Sequence, residues 1–259
     1  MRQTSETSFE PDWLALREPA DHAARDEGLL AQAAGLVSKG STVLDLGSGT
    51  GSTARAFARA GFDGFAWRFL DNDPALLQNA STRHPDAVCV VQDLSYPEDI
   101  QFEGVSFVTA SALLDVMTGA WMDALLAQVA KANIPIYAAL NYNGDMHWTP
   151  ADTRDAQITM AFNTHQRSDK GLGPALGPDA TATFARLCEA YGYRFHTAQS
   201  PWLLRPEDAA LQTALLSGIA EAAHEAYAVD APQWAQARHA VVAQTLAFIG
   251  HTDILAIPT

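Results

Sequence analysis

Hydrophobic and polar positions alternate in blocks along the chain, and from Ser41 onward these blocks predict strands and helices in turn. Such alternation is typical of a doubly wound α/β domain with a mostly parallel sheet. The predicted strands cover residues 41–46, 65–71, 87–93, 105–110, 134–142, 193–199 and 251–259. The predicted helices cover residues 53–61, 74–83, 119–131, 181–192, 206–226 and 232–248. We therefore expect a sheet of six or seven strands with helices on its faces.

The region before the first strand predicts a helix. Residues 21–37 carry leucine, alanine and valine side chains at helical spacing. Because this segment precedes the sheet, we expect residues 1–40 to form an N-terminal helical lid and residues 41–259 to form the main domain.

A second segment that breaks the strand–helix alternation follows the fifth predicted strand. Periodicity fails between residues 143 and 178, so we predict an irregular insertion there. The insertion contains His165, Arg167 and Lys170 within six positions, although basic residues are scarce in this chain. Its glycines and prolines favour a shaped loop over a spare linker.

Composition narrows the class of protein. The chain of 259 residues has 16 Lys and Arg against 30 Asp and Glu, a formal net charge of -14, which argues against a nucleic-acid surface. Two cysteines are too few for a disulfide framework, and the eight histidines show no metal-ligand spacing. No apolar run could span a bilayer, and the opening MRQTSETSFEPDW lacks the apolar core of a signal peptide. We expect a cytoplasmic enzyme without a metal or membrane contact; the oligomeric state stays open.

The strongest motif is VLDLGSGTG, residues 43–51. Gly47, Gly49 and Gly51 let the backbone turn after a strand and approach a ligand before the next helix. The motif lacks the lysine of a phosphate-binding P-loop and the spacing of a nucleophile elbow. Asp45 would repel a pyrophosphate but suits an amine or a sulfonium. The motif therefore favours S-adenosylmethionine (SAM) over a dinucleotide.

Two further strand ends carry carboxylates. Asp71 ends the second predicted strand, at about the distance beyond the glycines that is expected of a carboxylate binding ribose hydroxyls. Asp93 ends the third, where its carboxylate can accept from the adenine amine while the N–H of Leu94 reaches a ring nitrogen. These ends converge on the carboxyl edge of a parallel sheet, where such folds bind ligands.

Together VLDLGSGTG, FLDNDP and VVQDL resemble the successive SAM-binding motifs of class I SAM-dependent methyltransferases, over roughly residues 40–145. The last helix and strand, ending in DILAIP, are similar to the antiparallel end of that fold. The resemblance implies a Rossmann-like, seven-stranded sheet with an antiparallel last strand, and a bacterial enzyme of small-molecule type with unassigned substrate. It places the following residues around SAM: Asp45, Gly47, Gly49, Gly51, Asp71, Asn72, Asp93 and Leu94.

The methyl acceptor is predicted to lie beside TASALLDVM, residues 109–117, where class I methyltransferases place residues facing the transferred methyl. The sequence lacks the Asn/Asp-Pro-Pro-Tyr motif of enzymes that methylate amino groups of nucleobases or glutamine. Ser111 is a candidate for the SAM pocket, and Asp115 is either a catalytic base or a carboxylate at a helix start. Tyr142, at the end of the fifth strand, and His147 beyond it are candidates for substrate contact or proton transfer, or are ordinary loop residues.

Cationic residues suggest how an acceptor and SAM are held. His165, Arg167 and Lys170 would bind a carboxylate acceptor if the insertion folds over the sheet edge, with His165 a further catalytic candidate; otherwise they are solvated bases. Arg17, with Arg25 further on, would close over SAM and pair its carboxylate, or would simply lie on a helix surface.

The sequence therefore predicts a SAM-dependent methyltransferase that acts on a small polar metabolite, with an anionic acceptor included. Two alternatives use the same glycine loop: an NAD(P)-dependent Rossmann oxidoreductase, and a SAM-binding protein without methyl transfer.

Overall fold

The computed structural model describes residues 11–259 of the chain. The eight strands of this described part are β1 (Thr42–Leu46), β2 (Ala66–Asp71), β3 (Val88–Val91), β4 (Val105–Ser111), β5 (Ile136–Thr149), β6 (Tyr193–Gln199), β7 (Trp202–Leu204) and β8 (Leu246–Pro258). Its nine α-helices are α1 (Pro11–Ala24), α2 (Glu27–Gly35), α3 (Ser52–Arg59), α4 (Pro74–Arg83), α5 (Gly119–Lys131), α6 (Asp155–Gln166), α7 (Ala180–Ala190), α8 (Ala209–Glu225) and α9 (Ala231–Val241).

The strands form one sheet in the order β3-β2-β1-β4-β5-β8-β6, with β7 paired to the first half of β8. Strands β1 to β5 are parallel, and β8 runs antiparallel to both β5 and β6. The predicted doubly wound, mostly parallel sheet with an antiparallel last strand is confirmed. The three-residue β7 is one strand more than the sequence predicts. The strand order reverses between β1 and β4, and a ligand crevice forms at such a point outside the carboxyl ends.

Both faces of the sheet are buried by helices. On one face, Leu44 and Val108 of the strands pack with Met122 of α5 and Phe184 of α7. On the other face, helices α2 and α3 cover the central strands with apolar side chains, among them Leu30, Ala33 and Phe57. Burial on two faces explains why β1 and β4 are near-continuous apolar runs in the sequence.

A second hydrophobic core lies beyond the carboxyl edge of the sheet. Strands β5 and β8 continue past that edge and pair with each other, and β7 pairs with β8. Helices α6, α8 and α9 cover them. We call this cluster the second core; at its centre lie Trp148, Trp202 and Trp234. Helix α1 packs against it through Leu16 and Ala20, so the second core supports the helix nearest the crevice.

The prediction of an irregular insertion over residues 143–178 was wrong for most of that segment. Strand β5 continues through its first part, and α6 fills its centre. Helix α6 buries Ile158 fully and packs Phe162 against the second core, but polar residues separate its few apolar ones. That spacing hides the helical period. Residues 150–154 and 167–176 lack helix and strand, apart from an isolated bridge between Asp169 and Pro174.

The single helix predicted over residues 21–37 was also wrong. Helix α1 begins earlier and ends at Ala24, and Asp26 starts α2 by accepting a hydrogen bond from the Leu29 N–H at 2.7 Å. Between the helices, Arg25 is buried and donates to the Ser111 hydroxyl at 2.9 Å. The break between α1 and α2 therefore places the Arg25 side chain in the domain interior. Within residues 11–259, no helix combines the length and the apolar character needed to cross a membrane.

Candidate functional site

A cavity of about 470 Å³ opens at the carboxyl ends of β1 to β4. Its walls come from the loops after these strands, from α1, and from the irregular loop after α6. The volume lies within the range of small-ligand sites. The sequence-predicted residues that line it are Arg17, Gly47, Gly49, Asp71, Asn72, Asp93, Leu94, Ser111 and Lys170.

The glycine loop leaves no room for side chains on its cavity side. Gly47 and Gly49 are left-handed, with φ of 61° and 52°. A Cβ on Gly47 would lie 3.1 Å from the Leu113 side chain, and one on Gly49 would lie 3.3 Å from Leu14 of α1. Between the two glycines, the buried Ser48 hydroxyl lines the cavity without a hydrogen-bond partner. The loop therefore brings its backbone close to the cavity and leaves the Ser48 hydroxyl without a partner.

Two predicted residues of this motif lie behind the cavity wall. Gly51 caps the start of α3 with φ of 79°, and a Cβ there would lie 2.8 Å from the His84 ring. Asp45 is 1% exposed and accepts a hydrogen bond from the Thr109 hydroxyl at 2.7 Å. Its other oxygen has no hydrogen-bond partner. Burial raises the pKa of Asp45 to about 7, although the Thr109 hydroxyl and Arg25 oppose that rise.

The raised pKa of Asp45 makes stability depend on pH. Between pH 4 and 7 the folded state keeps a proton that the unfolded chain loses, so the free energy of unfolding falls as pH rises. Asp45→Asn stays neutral and keeps an acceptor for Thr109. Between pH 5 and 8, we expect its free energy of unfolding to rise relative to wild type by at least the equivalent of one pKa unit, about 1.4 kcal/mol. Urea unfolding across this range measures the gap; parallel pH profiles would contradict the expectation.

Asp71 joins the glycine loop to the second strand end. One carboxylate oxygen accepts from the Gly49 N–H at 2.7 Å, and the other accepts from the Asp73 N–H at 3.0 Å. Burial raises the pKa of Asp71, and the two N–H donors oppose that rise. Asp71 therefore holds the loop in place and faces the cavity.

Helix α1 forms the wall opposite the strand ends, with Leu14, Arg17 and Asp21 facing inward. The Arg17 guanidinium donates to both Asp21 oxygens, at 2.9 and 3.1 Å, and lies 5.1 Å from the centre of the Trp202 ring. The Trp202 indole N–H also donates to Asp21 at 3.0 Å. The Arg17 guanidinium is therefore fixed at the cavity wall, and the Asp21 carboxylate neutralises its charge.

A charged contact fastens α1 to the glycine loop. The Arg55 guanidinium donates to both Glu18 oxygens at 2.6 Å. It also donates to the carbonyl and the hydroxyl of Thr50, at 2.6 and 3.0 Å. Because Glu18 belongs to α1 and Thr50 to the loop, this contact closes α1 over the cavity.

Five predicted acceptor-site residues do not line the cavity: Asp115, Tyr142, His147, His165 and Arg167. Asp115 is buried behind Val116 and Met117, which do line it. One Asp115 oxygen has no hydrogen-bond partner, and burial raises the pKa of this carboxyl to about 6. Tyr142 is buried and donates to the Asn163 side chain at 2.7 Å, as part of the second core.

His147 lies on the exposed continuation of β5, where its imidazole contacts the Asp145 carboxylate at 2.7 Å. The three cationic residues of the insertion separate in space. Arg167 pairs with Asp179 at 2.6 Å on the surface, and His165 contacts Glu225 at 2.9 Å. Lys170 lines the cavity.

Sequence patterns missed several groups at or near the cavity. Asp21 and Gln166 line it, and His251 lies beside it, with its ring centre 5.2 Å from that of Trp202. Burial and Arg17 lower the pKa of His251 to about 3. The spacing of Arg17 and Asp21, four residues apart on a helix, was a usable signal. The sequence gives no signal for Trp202 and His251, since only the fold brings these two residues together. Among residues 11–259, no group of three or more His, Cys, Asp or Glu is arranged to hold a metal.

No protein-family model matches the sequence, and no curated protein is significantly similar to it. Solved structures are similar. A methyltransferase in complex with the Haloferax volcanii Trm112 methyltransferase activator has a TM-score of 0.57 at 16% identity, covering 99% of this chain and 98% of that one. Geranyl diphosphate methyltransferase in complex with geranyl diphosphate and sinefungin has a TM-score of 0.52 at 13% identity, and the match covers 90% of this chain and 77% of that one. A SAM-dependent methyltransferase from Geobacter sulfurreducens in complex with S-adenosylhomocysteine has a TM-score of 0.50 at 15% identity, and the match covers 96% of this chain and 99% of that one. The chain therefore has the fold of class I SAM-dependent methyltransferases.

Proposed function

We propose that this chain is a SAM-dependent methyltransferase that acts on a small polar metabolite. The observation that carries the proposal is the meeting of three strand-end motifs at one cavity: the glycine loop, Asp71 with Asn72, and Asp93 with Leu94. Similar structures that contain sinefungin or S-adenosylhomocysteine support SAM as the ligand.

The residues present fit SAM. The Asp71 carboxylate can accept from ribose hydroxyls, and Asp93 with the Leu94 N–H can pair with the adenine edge. Ser48 and the glycine loop line the part of the cavity left for the methionine part. When bound, SAM supplies an electrophilic methyl group on a sulfonium sulfur. The chain contributes position and electrostatics to such a displacement.

The remaining wall supports a small acceptor. It is largely apolar, with Leu113, Met117 and Leu172, and its polar groups include Gln166 and Lys170. Helix α1 and the loop after α6 close the cavity on the acceptor side, which favours a metabolite over a macromolecule. Asp115, Tyr142 and His165, the three residues predicted to act as a base, do not line the cavity, so the proposal assigns no base to a protic acceptor.

Ligand binding and label transfer test the proposal together. Calorimetry with SAM, S-adenosylhomocysteine, NAD and NADH should give binding of the first two only. Transfer of a labelled methyl group from SAM to a panel of small metabolites should then identify an acceptor. NADH binding without SAM binding would support the oxidoreductase alternative. SAM binding with no label transfer across the panel would support a SAM-binding protein.

The contact between Glu18 and Arg55 should affect how long SAM stays bound. Glu18→Gln removes the charge that fastens α1 to the glycine loop, and charge-assisted pairs of this kind are about twice as strong as neutral ones. We expect SAM to bind roughly three- to tenfold more weakly, mainly through faster dissociation, as 1.4 kcal/mol is about tenfold. Stopped-flow fluorescence measures the dissociation rate.

The matched control is Asp12→Asn, which removes a carboxylate from an exposed position of the same helix. This variant should release SAM at the wild-type rate. Equal dissociation rates for Glu18→Gln and wild type would show that α1 does not retain the ligand.

A further inference from the structure

A chain of three hydrogen-bonded side chains leads from the surface to the cavity wall. The Glu225 carboxylate lies 2.9 Å from His165 Nε2, and His165 Nδ1 lies 3.2 Å from the Lys170 ammonium. Glu225 is the last residue of α8, His165 belongs to the last turn of α6, and Lys170 lies in the loop that follows. The Glu225 side chain is 61% exposed and that of His165 22%, while Lys170 lines the cavity. The chain therefore runs from solvent inward.

The donors and acceptors of this chain have one consistent arrangement. An ammonium group can only donate, so His165 Nδ1 must accept from Lys170. The proton of a neutral imidazole then sits on Nε2 and is donated to Glu225. Glu225 thus selects the histidine tautomer that can hold Lys170.

Lys170 differs from the other cation of the cavity wall. Arg17 is neutralised by two hydrogen bonds from its guanidinium to Asp21. The Lys170 ammonium instead donates to a ring nitrogen, and the nearest acid of its chain, Glu225, acts through His165. Burial lowers the pKa of Lys170, which means that the partly buried charge lacks full compensation. An anionic group of a ligand would supply it.

We propose that Lys170 binds an oxyanion of the methyl acceptor, a carboxylate or a phosphate, and that His165 and Glu225 are positioning residues that aim its ammonium at the cavity. This inference rests on the proposed function, because it names the acceptor class for the same cavity. Arg167 has no part in it, because it pairs with Asp179 on the surface and does not line the cavity.

Simple oxyanions test the assignment without knowledge of the acceptor. Inorganic phosphate and acetate are titrated, up to concentrations of about 0.1 M, into protein saturated with S-adenosylhomocysteine, and binding is followed by NMR of the lysine side-chain signals. Wild type should bind at least one of the two, and which one binds more tightly tells phosphate from carboxylate. Lys170→Gln should weaken binding at least tenfold. Lys39→Gln removes an exposed lysine far along the chain and should change nothing.

The role of Glu225 has its own readout. Glu225→Ala should weaken oxyanion binding roughly three- to tenfold and shift His165 toward the Nδ1–H tautomer, as seen in ¹⁵N NMR of the imidazole. Glu225→Gln keeps an acceptor oxygen without the charge, so it should restore both the tautomer and the binding. A merely structural role for Glu225 would leave the tautomer unchanged.

Three results would overturn the proposal: no binding of either anion by wild type, equal binding by Lys170→Gln, or an Nδ1–H tautomer of His165 in wild type. Binding of S-adenosylhomocysteine is measured in the same samples and should be within twofold of wild type in every variant. If wild type fails to bind that ligand, the proposed function fails. The anion titration of the unloaded protein then still decides the role of Lys170.

Discussion

Asp71→Asn should weaken binding of SAM and S-adenosylhomocysteine by roughly 10- to 100-fold, the cost of about 1.5–3 kcal/mol for a hydrogen bond to a charged group. The carboxylate accepts from two backbone N–H groups at once, those of Gly49 and Asp73. An asparagine has one acceptor oxygen, so its amide would face one of these N–H groups as a second donor. The substitution therefore disturbs the glycine loop and removes an acceptor for the ribose hydroxyls.

Calorimetry with S-adenosylhomocysteine measures this effect without turnover. Asp63→Asn is the matched control, since it removes one carboxylate at an exposed position outside the cavity. Both variants should unfold within a few degrees of wild type, because Asp71 lies at the edge of the cavity and not within a hydrophobic cluster. Affinity of Asp71→Asn within twofold of wild type would place the ribose elsewhere.

The strands that build the cavity were predictable because their sequence signals are local. Strands β1, β2 and β3 are mainly apolar, and a glycine or an aspartate lies at or just beyond the end of each. Parallel strand ends meet at one edge, so Asp71 and Asp93 could be placed together before any contact was known. The predicted helix starts at Pro74 and Gly119 were correct: proline is favoured in the first turn, and Thr118 caps the helix that begins at Gly119.

The second core was not predictable as a unit, because α6 looks polar in isolation and the strand extensions pair only in the folded chain. Helix α6 has few apolar residues, and they become a buried face only against α8 and the extended β5. The first half of β8 was assigned to a helix, since its Leu246 and Phe248 continue the period of the preceding helical segment. Pairing with β5 decides the strand, and that partner lies far away in sequence.

The contacts on the acceptor side of the cavity were also not predictable, because they join residues that are far apart in the sequence. Asp21 and Trp202 form a hydrogen bond across 181 residues of sequence, and His165 meets Glu225 across 60. The basic segment containing His165 and Lys170 could be identified as unusual, but its partners could not. Composition alone also failed to show that Arg167, in the same segment, faces the surface.

Arg238→Ala should destabilise the folded protein by about 3–5 kcal/mol, the usual cost of removing one partner of a buried ion pair. Arg238 is 2% exposed, and its guanidinium donates to the Asp155 carboxylate and to the Pro150 carbonyl, the latter at 2.6 Å. Its charge also lies 5.3 Å from the centre of the Trp148 ring. Alanine would leave the carboxylate and the carbonyl without these donors and a void within the second core. Urea unfolding measures the loss.

The consequence should extend to SAM binding, because α1 packs on the second core with one face and lines the cavity with the other. We expect weaker binding in Arg238→Ala even at temperatures where the protein is fully folded. Arg186→Ala, at an exposed helix position, should change stability by less than about 0.5 kcal/mol and leave binding intact. The double variant Arg238→Met with Asp155→Leu should be more stable than the sum of its single changes predicts, since no charge is then left buried alone. Strict additivity would show that the two charges do not interact.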